Sequence, residues 1–221
     1  MQFLLSSIGK KIQVAISGIF FCIFLVFHLF NNLALFAGPD VFNSMVEFLE
    51  SIKPIIRVME FGLLGILLIH IINAIGLSIS NYTANPKQYY KNSQSETSSL
   101  NSRTMLLSGS IILIFFIIHL WAFWYTYQAH NFLHQNETFY DVILRNQIGF
   151  LGHRLTAVFY IIAISLIGFH IKHGFQSALK TLGVIQTSKL GFLYKISFLF
   201  WGIIPGMFII IILSIQCGII K

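Results

Sequence analysis

Residues 12–36, IQVAISGIFFCIFLVFHLFNNLALF, contain no Asp, Glu, Lys or Arg. A run of this length exceeds the roughly 20 apolar residues that cross a bilayer as a helix. Charge-free runs also cover residues 61–86, 104–136, 155–171 and 196–220, in a chain that is 56% hydrophobic and only 10% charged. The sequence therefore predicts one all-α membrane domain, residues 1–221. Its five spans are predicted at about residues 12–36, 57–80, 104–127, 153–177 and 193–217.

The first run follows Lys10 and Lys11, as the apolar region of a signal peptide would. It is too long for that, and no clear A-x-A cleavage site follows, so we interpret it as a span. Both cysteines, Cys22 and Cys217, lie in apolar runs, and no C-x-x-C motif occurs. A disulfide framework, a zinc cluster and covalently attached c-type haem are therefore unsupported.

The net charge of +7 is spread along the chain and forms no dense basic patch, which argues against nucleic acid as a partner. With a cytoplasmic N-terminus, nine of the 14 Lys and Arg residues fall inside and five outside, as the positive-inside rule favours. Residues 85–104 then form a polar cytoplasmic loop. Residues 130–149 form an outer loop, with a short surface helix expected around Asp141.

Four of the eight histidines lie well within the predicted spans, away from their ends, and each is in a different span: His28, His70, His119 and His170. A lone histidine in a membrane helix can simply hydrogen-bond to a neighbouring helix, but ionisable residues at such depths are costly and usually functional. At about 1.5 Å per residue, His28 and His119 lie roughly 6 and 4 Å beyond the midpoints of outward-running spans. His70 and His170 lie past the midpoints of inward-running spans. The four therefore form two pairs at two depths.

Two levels with two imidazoles each suit two haems, each ligated from both faces within a helix bundle. A bare metal ion would normally bring carboxylate or thiolate ligands, and the span interiors contain no Asp or Glu. Gly18 and Gly109 each stand ten residues before a histidine, His28 and His119 respectively. A missing side chain there leaves room for a flat macrocycle, although ordinary close packing of helices accounts for the glycines equally well.

With these residues identified, the chain resembles the diheme cytochrome b subunit of succinate:quinone oxidoreductases. That group includes menaquinone-linked succinate dehydrogenases and fumarate reductases. The matching stretches cover nearly the whole chain in family order: SSIGKKIQVAISGIF, VFHLFNNLALFAGPDVFN, FLESIKP, VMEFGLLGILLIHIINAIGL, SRTM, IIHLWAFW and FHIKHGFQSALKTLG. The resemblance implies an integral membrane bundle in which four of five helices enclose two stacked b-type haems.

The resemblance also implies roles and partners. Helices one and three of that family hold the haem distal to the soluble subunits, which here gives His28 and His119. Helices two and four hold the proximal haem, which gives His70 and His170. A flavoprotein subunit would carry the succinate chemistry, which this chain itself would not, and an iron–sulfur subunit would dock on the cytoplasmic face. Electrons would pass between that subunit and a quinone, expected to be menaquinone, in a bacterial inner membrane. The complex could form a higher oligomer.

Further candidates are weaker. Glu50 lies in the matching FLES segment and could exchange protons with the quinone at the outer face, with a solvated loop charge as the alternative. The haem propionates need basic or hydroxyl partners near the membrane surface, and snorkelling to the interface is the alternative for the Lys and Arg among them. The candidates are Ser17, Arg103, Arg154, His173 and Lys180. Some fumarate reductases have an acidic residue two positions before the fourth ligand. Gly168 stands there, which puts a proton path at that point in doubt.

Two other functions remain open at this stage. The cytochrome b subunit of a hydrogenase or formate dehydrogenase also carries haem, but the quoted stretches fit it less well. A haem-free transporter or structural anchor would use its histidines for bonds between helices. Transporters often have repeats and broken spans, whereas only Pro205 interrupts a span here.

Overall fold

The computed structural model describes residues 2–84, 105–129, 137–184 and 190–221. These residues are 87% helical and contain no strand. Five helices in them are long and apolar enough to cross a membrane, and we number these spans in chain order: Ser7–Ala37, Lys53–Ser80, Met105–Gln128, Arg154–Thr181 and Lys195–Gln216. For the described residues, the prediction of an all-α chain with five helices long and apolar enough to span a membrane is confirmed, with boundaries that differ by a few residues.

Several helices depart from regular α geometry. The first span is the α-helix Ser7–Leu33 followed by the 3-10 turn Ala34–Ala37, and the second belongs to the α-helix Lys53–Ala84. The third consists of Met105–His119, the π-helical stretch Leu120–Tyr125 and Thr126–Gln128. The fourth is Arg154–Thr181 throughout, and the fifth combines Leu190–Phe198, the π-helical Leu199–Ile203 and Ile204–Gln216. Three short helices complete the described chain: Gln2–Leu5, Pro39–Ser51 and Phe139–Leu144.

The ends of the first span are set by local chemistry. The Ser6 hydroxyl accepts a hydrogen bond from the Gly9 N–H at 3.1 Å and so caps the helix. At the other end Gly38 has φ +94°, a conformation that suits glycine, and Pro39 opens the next helix in the position that proline favours. That helix, Pro39–Ser51, was not predicted from the sequence. We call it the connecting helix.

The spans pack around the first and fourth helices, which contact each other. The second span packs on the first, the third on the fourth, and the fifth against both central helices. Small residues allow this close packing, because Ala157 and Ala163 are buried and a Cβ on Gly168 would lie only 2.8 Å from the Trp201 carbonyl oxygen. Below, the N-terminal end of the bundle is the one where the first span begins, and the C-terminal end is the opposite one.

The helix Phe139–Leu144, which we call the loop helix, lies at the C-terminal end. A helix around Asp141 was predicted, and Thr138 and Asp141 form its capping box. The helix has an exposed side at Asp141 and a buried side, where Val142 is fully buried against Ala122 and Phe150. The predicted cytoplasmic loop, residues 85–104, lies outside the described residues.

The loop helix also carries a phenol outside the spans. Burial raises the pKa of Tyr140, and the neighbouring Asp141 raises it further. The backbone N–H of Tyr140 donates to the Asn43 side-chain oxygen at 3.0 Å, which ties the loop helix to the connecting helix. These contacts close the C-terminal end of the bundle around the cavity described next.

Candidate functional site

A cavity of about 1000 Å³ lies between the spans. This volume is at the upper end of the range of about 300–1,000 Å³ found for small-molecule and cofactor sites. The wall is mainly apolar, and the four span histidines all line it: His28, His70, His119 and His170. Lys11 and His173 reach the cavity at the N-terminal end, while Glu50 and Lys53 reach it at the C-terminal end.

His28 and His119 face each other at the level nearer the C-terminal end. Their ring centroids are 5.7 Å apart and the ring planes are perpendicular. Each ring is stacked on a phenylalanine of its own helix, Phe24 at 5.3 Å and Phe115 at 5.4 Å between centroids. These contacts place both imidazoles in an aromatic surrounding. The side-chain nitrogen Nδ1 of His119 is buried and has no hydrogen-bond partner among the described residues.

His70 and His170 occupy the other level, and their surroundings repeat each other. The Ser17 hydroxyl oxygen lies 2.9 Å from His70 Nδ1, and the Ser108 hydroxyl oxygen lies 3.2 Å from His170 Nδ1. The residue after each serine is a glycine. A Cβ on Gly18 would lie 3.8 Å from His70 Cε1, and the glycine after Ser108 has the corresponding distance of 3.6 Å to His170 Cε1. The first and third spans therefore present the same Ser-Gly pair to one histidine each.

Helix geometry separates the two levels. Gly18 is ten residues from His28, and Gly109 is ten residues from His119, which corresponds to about 15 Å along each helix. His70 and His170 lie beside these glycines. The cavity thus has one pair of imidazoles toward each end.

The donor set suits a metal that takes one imidazole from each side. An imidazole nitrogen lies about 2 Å from a first-row metal, so two imidazoles on opposite sides of one iron have centroids roughly 6 Å apart. The separation between His28 and His119, 5.7 Å, is close to this value. No group of three or more His, Cys, Asp or Glu that could hold a bare ion occurs in the part of the chain that the structure describes. The apolar walls, and the open glycine positions beside His70 and His170, fit a flat metal-bearing cofactor.

Other predicted site residues lie in different places. Ser17 is buried, with its hydroxyl on His70. His173 and Glu50 line the cavity, at opposite ends. Arg154 lines a separate cavity of about 350 Å³, and Lys180 is exposed and is not among the residues of the histidine cavity.

Three further residues compare the sequence prediction with the structure: Arg103, Gly168 and Ser108. Arg103 lies outside the described residues, so its role as a propionate partner stays a prediction. At Gly168 the fifth span occupies the space where a side chain would go, through Trp201 and Pro205. Ser108 was not predicted from the sequence. The repeated Ser-Gly pair, set ten to eleven residues before a histidine in two spans, was the signal that could have revealed it.

A polar cluster at the C-terminal end was also not predicted. The Arg57 guanidinium donates to the Glu60 carboxylate at 2.8 Å, contacts the Gln128 side-chain oxygen, and lies 5.4 Å from the centroid of the Trp124 ring. Glu60 and Gln128 line the cavity. The cluster therefore joins the second and third spans beside the cavity.

Comparison of the chain with protein-family models, with curated proteins and with solved structures found no match. Fold and site together define a class: in its described residues the protein is all-helical, with five helices long and apolar enough to span a membrane and two pairs of histidines around one cavity.

Proposed function

We propose that this chain is a two-haem cytochrome b, the membrane-anchor subunit of a succinate:quinone oxidoreductase. The observation that carries the proposal is the contact between His28 and His119, with centroids 5.7 Å apart in an aromatic part of the cavity. The second pair, His70 and His170, lines the same cavity toward its other end. The resemblance of the sequence to this family supplies the substrate class and the partners.

In this proposal the chain's residues hold and insulate two b-type haems. His28 and His119 ligate the haem nearer the C-terminal end, and His70 and His170 ligate the other. Each haem, when bound, supplies one-electron transfer. The phenylalanines around His28 and His119 keep water away, and Gly18 and Gly109 leave space beside the other pair. His173, at the N-terminal end of the cavity, is positioned for a propionate.

The partners follow from the proposed orientation. The N-terminal end faces the cytoplasm in this proposal, since nine of the 14 basic residues then lie inside. A flavoprotein subunit oxidises succinate or reduces fumarate, and an iron–sulfur subunit on the cytoplasmic face exchanges electrons with the nearer haem. The membrane is the inner membrane of a bacterium.

The quinone, expected to be menaquinone, reacts at the C-terminal end in this proposal. Reduction of a quinone takes two electrons and two protons, so the site needs a group that exchanges protons with the outer aqueous phase. Glu50 is the candidate, because it lines the cavity at this end and is about one-third exposed. Lys53 Nζ lies 3.5 Å from its carboxylate oxygen.

A haem-free anchor is the second candidate function. It is favoured by the hydroxyl groups of Ser17 and Ser108, which give His70 and His170 hydrogen bonds between helices without any metal. The two functions differ in whether the purified chain absorbs visible light.

A reduced-minus-oxidised spectrum of the purified protein, with haem counted per chain, tests the proposal. Two b-type haems per chain are expected. One haem would contradict the assignment of four ligands, and none would contradict the cytochrome. His119→Ala should remove one haem and leave the other, whereas the control His153→Ala, which changes a histidine outside the large cavity, should retain both. Loss of the haem held by His70 and His170 alone in His119→Ala would refute the pairing.

A further inference from the structure

The first and third spans present a buried serine to the same ring atom of two different histidines. Ser17 and Ser108 are only 5% and 8% exposed. Their hydroxyl oxygens lie 2.9 and 3.2 Å from Nδ1 of His70 and His170. Because the sequence repeats Ser-Gly at both places, the contact is a matched feature of the two helices.

The direction of the hydrogen bond to His70 follows from counting hydrogens. A serine hydroxyl has a single hydrogen, and the Ser17 oxygen lies 2.7 Å from the carbonyl oxygen of Gln13 and 3.0 Å from that of Val14. A carbonyl can only accept, so the hydroxyl hydrogen is used within the helix. The Ser17 oxygen therefore accepts the hydrogen on His70 Nδ1.

The same count of hydroxyl hydrogens applies to Ser108 on the third span. The Ser108 hydroxyl donates to the Met105 carbonyl oxygen at 3.1 Å, so its oxygen accepts the hydrogen on His170 Nδ1. With the hydrogen on Nδ1, the other ring nitrogen, Nε2, keeps its lone pair. Both imidazoles at this level are thus held in the tautomer that can ligate a metal through Nε2.

We infer that Ser17 and Ser108 are positioning residues that set the tautomer and the donor strength of His70 and His170 toward the haem iron. This inference rests on the proposed function. A hydrogen bond from the far ring nitrogen makes an imidazole a stronger donor to the metal, which stabilises ferric over ferrous iron and lowers the reduction potential. His119 Nδ1 has no such partner among the described residues. The effect of the serines on the ligand histidines therefore belongs to one level of the cavity.

The test measures the potential of the haem held by His70 and His170. The His119→Ala variant should retain only this haem, so its redox titration reports a single centre. Adding Ser17→Ala or Ser108→Ala should raise the midpoint potential and change the low-spin ferric EPR signal, and the double alanine change should shift both further. Ser17→Thr and Ser108→Thr, which keep the hydroxyl, should return the potential toward its starting value.

Ser165→Ala is the matched control. Ser165 lies on the same helix as His170, and its hydroxyl bonds to the Ile161 carbonyl at 2.8 Å, within that helix. This change should leave the potential and the EPR signal unmoved. An equal shift in the control would overturn the inference, because the effect would then be a general response of the bundle.

The remaining outcomes separate this inference from the proposed function. If the wild-type protein binds no haem, the proposed function fails. If it binds two and the double alanine variant leaves the potential and the EPR signal unchanged, the positioning role alone is refuted. Loss of the haem in an alanine variant supports the inference when threonine restores it and contradicts the inference when threonine does not.

Discussion

The buried ion pair at the C-terminal end provides a stability test that does not depend on any cofactor. Arg145 Nε and Nη2 donate to the two carboxylate oxygens of Glu137 at 2.7 and 2.6 Å, and the side chains are only 6% and 7% exposed. The guanidinium carbon also lies 4.9 Å from the centroid of the Phe150 ring. Glu137→Gln keeps the shape of the side chain but removes its charge. We expect a loss of about 3–5 kcal/mol in the free energy of unfolding, because a buried arginine loses its counter-charge.

A second ion pair supplies the matched control. Arg57 and Glu60 are 2.8 Å apart, but their side chains are 28% and 26% exposed. Glu60→Gln removes the same charge in a more solvated place, where such a pair contributes about 0–1 kcal/mol. The double change Glu137→Met and Arg145→Met should recover most of the loss, because replacing both partners of a buried pair with apolar residues is often neutral.

The assay is equilibrium unfolding in mixed micelles, followed by tryptophan fluorescence and compared among the four proteins. The reasoning is refuted if Glu137→Gln and Glu60→Gln lose similar free energies, or if Glu137→Gln loses less than about 1 kcal/mol, the value for an exposed pair. The result also bears on the cavity. Phe139 and Ile143 of the loop helix form part of the cavity wall. The ion pair joins the residues on either side of that helix, so it helps to hold this part of the wall in place.

Two further changes can be measured by the same unfolding assay. Gly168→Ala places a Cβ 2.8 Å from the Trp201 carbonyl oxygen and should cost about 1–3 kcal/mol, because packed backbone must move. Gly62→Ala, with no atom within 4 Å of the new Cβ, should instead stabilise the helix by up to about 1 kcal/mol. If Gly62→Ala were the more destabilising of the two changes, the packing described at Gly168 would be contradicted. Gln216→Leu removes donors at 2.7 and 3.2 Å from two backbone carbonyls in the turn before the fourth span. It should cost about 1–3 kcal/mol, and an unchanged stability would show that water replaces the amide.

The five spans could be predicted because charge-free runs of about 17 residues or more, in a chain this apolar, are typical of membrane helices. The helix ends could not. The first span begins at Ser7 and includes Lys10 and Lys11, and the second helix begins at Lys53 and includes Arg57. Charge-free runs mark the part of a helix suited to hydrocarbon, whereas helix ends depend on caps and turns.

The shorter helices show more clearly what the sequence prediction missed. The connecting helix has a readable start at Gly38, Pro39 and Asp40, and its buried residues Phe42 and Val46 are four apart, as on one helix face. That pattern is present in the sequence, but a search for charge-free runs does not detect it. The π-helical stretch Leu120–Tyr125, by contrast, has no comparable local signal. An extra residue in a helical turn depends on how the neighbouring helices pack.

The depth of the histidines could be predicted from the sequence, but the rotation of each span about its own axis could not. Position along a helix follows from counting residues, so His28 and His119 could be assigned to one depth before any contact was known. Whether their rings face each other depends on how each span turns about its axis. That rotation is set by packing, including the stacking of each ring on the phenylalanine four residues earlier.

The repeated spacing on the first and third spans couples the two levels of the cavity. Ser17 precedes His28 by eleven residues, and Ser108 precedes His119 by eleven. Eleven residues are about three turns of an α-helix, so each serine and its histidine lie on the same face, about 16 Å apart. Any rotation that turns one of these serines toward the cavity also turns the histidine of that span toward it. Each of the two spans therefore serves both levels, whereas the second and fourth spans contribute one histidine each to a single level.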